Sequence, residues 1–130
     1  MKVAFVRNDR LTPKDRSAIK GGIRRAFSQS ALRQRVLQAS VVHHVDPSRP
    51  RVKTWCLCRA CGRPEAKSNC VVDHIDPLVP LHMTLEEMSW DSVVDRCWCD
   101  AHNLQVLDKE CHKKKTFLEA KERKRLRRNR

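Results

Sequence analysis

The sequence predicts an α+β fold in which a cysteine-rich centre lies between two basic, helical flanks. The chain has 130 residues, which suits one small domain with extensions. Aromatic residues make up only 5% and tyrosine is absent, so a metal ion would help to stabilise the thin core. All seven cysteines lie in the central part, apolar residues recur at helical spacing within residues 1–50, and a long basic run begins at about Lys109. We therefore expect a metal-stabilised centre of short strands with helical flanks.

The net charge of +13 is unevenly distributed. Residues 1–55 hold 13 Lys/Arg against 3 Asp/Glu, and residues 113–130 hold 10 against 2. Residues 56–112 are acidic, with 5 against 10. Basic flanks suit a polyanion, because Lys and Arg that neutralise phosphates release counterions. The pattern favours nucleic acid as the partner over a merely solvated surface.

The sequence lacks the apolar runs that membrane proteins and exported proteins need. No run approaches the length of a bilayer-spanning helix, which excludes a transmembrane protein. The start, MKVAFVRNDR, lacks the continuous apolar core of a signal peptide. We therefore expect a cytoplasmic protein without a membrane partner; for a phage-encoded chain this is the host cytoplasm.

Residues 1–54 are predicted to form a basic helical extension that ends in a linker. Thr12 can cap a helix, Pro13 fits its first turn, and apolar residues follow at helical spacing. Gly21 and Gly22 interrupt this stretch, so one kinked helix and two short helices are both compatible with it.

The remaining predicted elements are short, except for the last one, which is a long helix. Turn residues and prolines bound the apolar runs. The predicted elements are a strand within 51–58, a strand over 70–76, a helix over 84–94, a strand over 103–107 and a long basic helix from Lys109.

The cysteines favour metal binding over disulfides. Seven is an odd number, and without a signal peptide it argues against a disulfide framework. Cys58 and Cys61, followed by Gly62, form a knuckle, which is half of a tetrahedral zinc site. The second half must come from further along the chain.

Three polar features follow the knuckle: Asp73-His74, Asn103 and Cys111-His112. Each alone has an ordinary explanation in turn chemistry or surface polarity. Together, the strings CRACG, VVDHIDP, HNLQVLD and ECHKKKT resemble the HNH endonuclease family, whose nuclease motif is a ββα-metal fold. The resemblance covers a nuclease core at 55–118, is nearest to small phage and prophage HNH proteins, and leaves 119–130 as a basic tail.

The resemblance implies a role for each polar residue. His74 matches the general base that takes a proton from the attacking water. Asp73 and His112 match the ligands of a catalytic Mg²⁺ or Mn²⁺, for which Ni²⁺ or Co²⁺ can also serve. Asn103 matches the residue that holds the loop and orients the base. The products should carry 5′-phosphate and 3′-hydroxyl ends.

The implied structural zinc site departs from the family at one position. The family usually has a second C-x-x-C before the last histidine, but Asp108 replaces its first cysteine here. Zinc accepts a carboxylate, so Asp108 can fill the position directly. Cys99 or Cys97 can instead reach in from the preceding loop, Cys56 can enter the first half-site, or the zinc site is weak or absent. The preferred ligand set is Cys58, Cys61, Asp108 and Cys111.

The expected substrate is double-stranded DNA, which the protein nicks or cuts, with phosphate contacts from Lys113, Lys115, Arg123 and Arg125. Phage DNA packaging beside a terminase is one setting, and intron homing and restriction are others. A double-strand break needs a homodimer or two successive nicks, because one such site cuts one strand. The second hypothesis is a zinc-stabilised DNA-binding or terminase-accessory protein with little cleavage of its own.

Overall fold

The computed structural model describes residues 10–129, and within them the fold is α+β, as predicted. Its four α-helices are α1 (Pro13–Ser28), α2 (Ala31–Ala39), α3 (Trp90–Cys97) and α4 (Lys109–Arg128). Its five strands are β1 (Val41–Val42), β2 (Trp55–Leu57), β3 (Pro64–Ala66), β4 (Cys70–His74) and β5 (Leu104–Asp108). None of these helices is long and apolar enough to cross a membrane.

The first helix begins where the capping residues predict. The Thr12 hydroxyl accepts a hydrogen bond from the Asp15 amide at 3.1 Å, and the Asp15 carboxylate accepts one from the Thr12 amide at 3.0 Å. This reciprocal pair satisfies two amides that a helix start leaves without partners. The helix continues unbroken through Gly21 and Gly22. The chain breaks instead before Ser30, whose side chain caps α2, so the segment forms two helices.

The strands form two small antiparallel sheets. One has the order β1-β2-β3, and the other is the pair β4-β5. The second pair runs in continuous register from Cys70 opposite Asp108 to His74 opposite Leu104. Helix α4 begins directly after β5, since Asp108 is its N-cap. The result is an antiparallel pair of strands followed at once by a long helix.

The predicted helix over 84–94 is wrong at its start. Thr84 and Glu87 form a capping box, but it serves only a single 3₁₀ turn, Leu85–Glu87. Ser89 then caps α3, with its hydroxyl accepting from the Ser92 amide at 3.1 Å. Two capping signals five residues apart compete, and the second one begins the α-helix.

The N-terminal helices pack on the central segment. Phe27 of α1 is buried in one core cluster with Val93 and Leu104, and Leu37 of α2 is buried in a second with Val106. Helix α4 also passes through residues 118 and 119 without a break. The division at 54 and 118 stays a prediction. The contacts of Phe27 and Leu37 place the N-terminal flank against the β4-β5 pair.

Candidate functional site

A tight turn between β2 and β3 presents Cys58 and Cys61. The Gly62 amide donates to the Cys58 carbonyl at 2.9 Å, and the Cys58 amide donates to the Arg63 carbonyl at 3.0 Å. Gly62 has a φ of +70°, in the left-handed region that a side chain disfavours. Glycine is therefore required at this position for the turn to close.

The turn that carries Cys58 and Cys61 is bonded to strand β5, whose end leads to the other two residues of the cluster. The Arg59 amide donates to the Val106 carbonyl of β5 at 2.9 Å. Asp108 ends that strand, and Cys111 lies in the first turn of α4. The ligand atoms of Cys58, Cys61, Asp108 and Cys111 all lie within 4.8 Å of one another, so this group can hold a metal ion.

The chemistry of these four groups fits zinc. Three thiols and one carboxylate are zinc ligands, and four is the number that a structural site needs. Asp108 divides its two oxygens: Oδ1 accepts the Cys111 amide at 2.7 Å, and Oδ2 lies 3.3 Å from Cys61 Sγ. One oxygen thus caps α4 while the other faces the cluster. Asp108, and not Cys99, completes the group in the part of the chain that the structure describes.

The pKa values in the cluster indicate crowded acidic groups. Desolvation, reinforced by hydrogen bonds from Cys111 to Cys58 and Asp108, raises the pKa of the Cys111 thiol to about 12. The Arg63 amide, by contrast, lowers the pKa of Cys61. A bound cation would offset the repulsion that opposes ionisation of several thiols, because thiolates are the metal-binding form.

Two substitutions at Asp108 separate its helix-capping role from its metal-binding role. Asparagine caps helices about as well as aspartate, whereas alanine costs about 1 kcal/mol. In zinc-free protein we expect Asp108→Asn to unfold like the wild type and Asp108→Ala to be less stable by that amount. With zinc added, both variants should lose zinc-dependent stabilisation. Urea denaturation with and without zinc measures both effects, and equal zinc-dependent stabilisation of Asp108→Asn and wild type would exclude Asp108 as a ligand.

A second cluster lies at the other end of the β4-β5 pair. Asp73 and His74 end β4, and both are nearly buried, at 8% and 9% exposure. They line a cleft of about 570 Å³ together with His112 of α4. The structure therefore brings three of the four predicted polar residues to one cavity.

Asp73 is held by three side chains. Its Oδ1 lies 3.5 Å from His112 Nε2, while its Oδ2 accepts from Gln105 at 3.0 Å and lies 3.1 Å from Lys115 Nζ. A carboxylate oxygen and an imidazole nitrogen this close can share a divalent cation of the Mg²⁺ or Mn²⁺ type. Burial acts to lower the pKa of Lys115. The hydrogen bonds of its ammonium group with Glu119 and Asp73 outweigh this effect, so the pKa of Lys115 is raised.

The ring of His74 is oriented by main chain and by packing. Its Nε2 lies 2.8 Å from the Cys97 carbonyl oxygen, and its ring centroid lies 5.1 Å from that of Phe27. A carbonyl can only accept, so Nε2 carries the proton and Nδ1 keeps a free lone pair. His74 can therefore accept a proton at Nδ1.

Asn103 fixes the chain where it leaves β4. Its side-chain oxygen accepts from the Asp76 amide at 2.7 Å, and its Nδ2 donates to the Asp76 carbonyl at 3.1 Å. Its own carbonyl accepts from the Ile75 amide at 2.8 Å. Asn103 thus holds the two residues that directly follow His74.

The four predicted DNA-contacting residues of α4 differ in their surroundings. Lys113 is exposed, and Arg125 is exposed but pairs with Glu122. Lys115 also donates to the His74 carbonyl at 3.0 Å. Arg123 donates to the carbonyls of Val79 and Pro80 at 2.5 and 3.1 Å. Lys115 and Arg123 are therefore tied to the fold, while Lys113 and Arg125 face solvent.

The sequence analysis missed two residues that shape this site. Gln105 lies opposite Asp73 in the β4-β5 pair, so knowledge of the register between these two strands would have identified it. Phe27 is far from His74 in the sequence, and no local pattern indicates their contact.

Comparison with protein-family models, with curated proteins and with solved structures finds no match to this chain.

Proposed function

We propose that this protein is a divalent-metal-dependent HNH endonuclease that hydrolyses phosphodiester bonds in double-stranded DNA. The observation that carries the proposal is a histidine with a free Nδ1, in one cleft with an adjacent carboxylate and imidazole. The two strands and the helix that supply them have the order of a ββα-metal motif. Three of the four sequence strings that resemble the HNH family, VVDHIDP, HNLQVLD and ECHKKKT, overlap these elements, and CRACG lies in the turn between β2 and β3.

In this proposal each residue has a distinct task. His74 accepts a proton from the attacking water at Nδ1, and the Cys97 carbonyl keeps the ring in the required tautomer. Asp73 and His112 would hold the cation. When bound, Mg²⁺ or Mn²⁺ supplies Lewis-acid stabilisation of the charge on the phosphate and leaving oxygen.

Other side chains keep the catalytic groups in place. Gln105 and Lys115 orient the Asp73 carboxylate, and Asn103 holds the chain after His74. Zinc in the cysteine–aspartate cluster would join the knuckle to the start of α4, the helix that carries His112. In this way the structural metal supports the catalytic site without taking part in the chemistry.

A second candidate is a zinc-stabilised DNA-binding protein, for example a terminase accessory factor in phage DNA packaging. One observation favours it: the ammonium group of Lys115, which also pairs with Glu119, gives the Asp73 carboxylate a cationic partner without a bound divalent cation. The net charge of +13 suits either function.

A plasmid assay separates the two candidates. Purified protein is incubated with supercoiled plasmid and Mg²⁺ or Mn²⁺, with EDTA as the control. We expect conversion to nicked circles that DNA ligase reseals, because 5′-phosphate and 3′-hydroxyl ends are ligatable. Retarded migration without any nicks, at every metal concentration, would instead support the DNA-binding candidate.

A further inference from the structure

The catalytic cleft has a second, basic wall that the sequence motifs do not include. Its lining contains Lys20 and Arg24 of α1, and Arg123 and Arg127 of α4. The two helices come from opposite ends of the chain, and the same cavity holds the Asp73–His112 pair. Four cationic side chains therefore face the space in which the proposed phosphodiester substrate would lie.

Acidic side chains do not neutralise this basic wall within the described part of the chain. Among residues 10–129, no ion pair is formed by Lys20, Arg24 or Arg127. The acidic groups that also line the cleft, Asp73 and Glu119, are both paired with Lys115. The cleft thus separates an acidic part, in which two carboxylates share one ammonium group, from a basic part that contains no carboxylate.

The basic side chains are close enough to affect one another. Burial is the main cause that lowers the pKa of Lys20, and the charges of Arg24 and Arg123 lower it further. Arg123 is fixed by two carbonyl groups, which do not cancel its charge. An anion in this place would relieve the mutual repulsion, and a phosphate offers oxygens to several donors at once.

We propose that Lys20 and Arg24, together with Arg127, bind a backbone phosphate of the DNA strand that the catalytic residues cut. This inference rests on the proposed function and adds the N-terminal helix to the substrate site. Helix α1 is held against the catalytic centre by the contact of Phe27 with His74. The N-terminal segment then serves to position the strand and is more than a separate extension.

The test measures DNA binding without cleavage. A fluorescent DNA duplex of about 20 base pairs is titrated at several salt concentrations with the zinc-loaded protein, in buffer without Mg²⁺, Mn²⁺ or chelator. Each phosphate contact contributes about 0.9 to the slope of log affinity against log salt. Removal of two of the three cations around this phosphate in Lys20→Gln/Arg24→Gln should therefore reduce the steepness of the slope by up to about 0.9, and Arg127→Gln should reduce it by less. Glutamine is a good helix former, so the melting temperatures should stay close to that of the wild type.

The matched control is Lys14→Gln/Arg25→Gln, which removes the same charge from exposed positions on the same helix. Neither residue lines the cleft. We expect this pair to change the slope by clearly less than the cleft pair does. Equal slope changes in the two pairs, or no change in either, would overturn the inference. Because the assay supplies no Mg²⁺ or Mn²⁺ and measures binding alone, this result is independent of whether the wild type nicks plasmid.

Discussion

Replacing His74 with alanine should abolish most of the DNA nicking. Removal of a general base typically lowers the rate by about 10²–10⁴-fold. DNA affinity should change little, because the basic side chains of α1 and α4 are untouched. The measurement is the rate of conversion of supercoiled to nicked plasmid under single-turnover conditions, together with duplex binding in buffer without Mg²⁺ or Mn²⁺.

His102 provides the matched histidine control. Its side chain is 95% exposed and lies outside the cleft, so His102→Ala should nick at the wild-type rate. His74 also packs against Phe27, so the fold of His74→Ala must be checked by its melting temperature. A folded His74→Ala protein that nicks as fast as the wild type would remove His74 from the mechanism.

Replacing Cys61 with serine should cost the protein its zinc and much of its stability. When the free zinc concentration is 1,000 times the dissociation constant, zinc binding stabilises a fold by about 4 kcal/mol. For a domain of this size that corresponds to a fall in melting temperature of about 10 °C or more. Metal analysis should find about one tightly bound zinc in the wild type and none in Cys61→Ser.

Cys99→Ser is the control for this second prediction. Cys99 lies outside the four-residue cluster, and its Sγ contacts Asn103 Nδ2 at 3.8 Å. This variant should keep its zinc and unfold near the wild-type temperature. If Cys99→Ser loses the zinc while Cys61→Ser keeps it, the assignment of the cluster is wrong. A zinc-free wild type would mean that packing alone holds the knuckle.

Local chemistry made several elements predictable. The capping box at Thr12 fixes the start of α1 without help from the rest of the chain. The knuckle at Cys58 and Cys61 needs only its spacing and Gly62. Asp108 is the preferred fourth ligand because it lies three residues before Cys111 and needs no rearrangement of the chain, and the structure places it in the cluster.

Contacts between distant segments were not predictable. The partner of His74 is a main-chain carbonyl 23 residues away, and a carbonyl leaves no signal in the sequence. Arg123 looks like an ordinary basic residue of a helix until its carbonyl partner 44 residues earlier is known. The position of Lys20 in the same cleft as Asp73 and His112 depends on the packing of α1 through Phe27, which periodicity alone does not determine.

The metal dependence of nicking by His112→Ala tests most directly whether Asp73 and His112 form one cation site beside His74. The variant removes one of two protein ligands and leaves the Asp73 carboxylate and the His74 base in place. Even the partners that orient ligands typically cost 10–100-fold in metal affinity when they are removed, and a ligand should matter at least as much. We expect the half-saturating Mn²⁺ concentration for nicking to rise by about tenfold or more, with measurable activity at high metal. An unchanged half-saturating concentration and an unchanged rate would contradict the site.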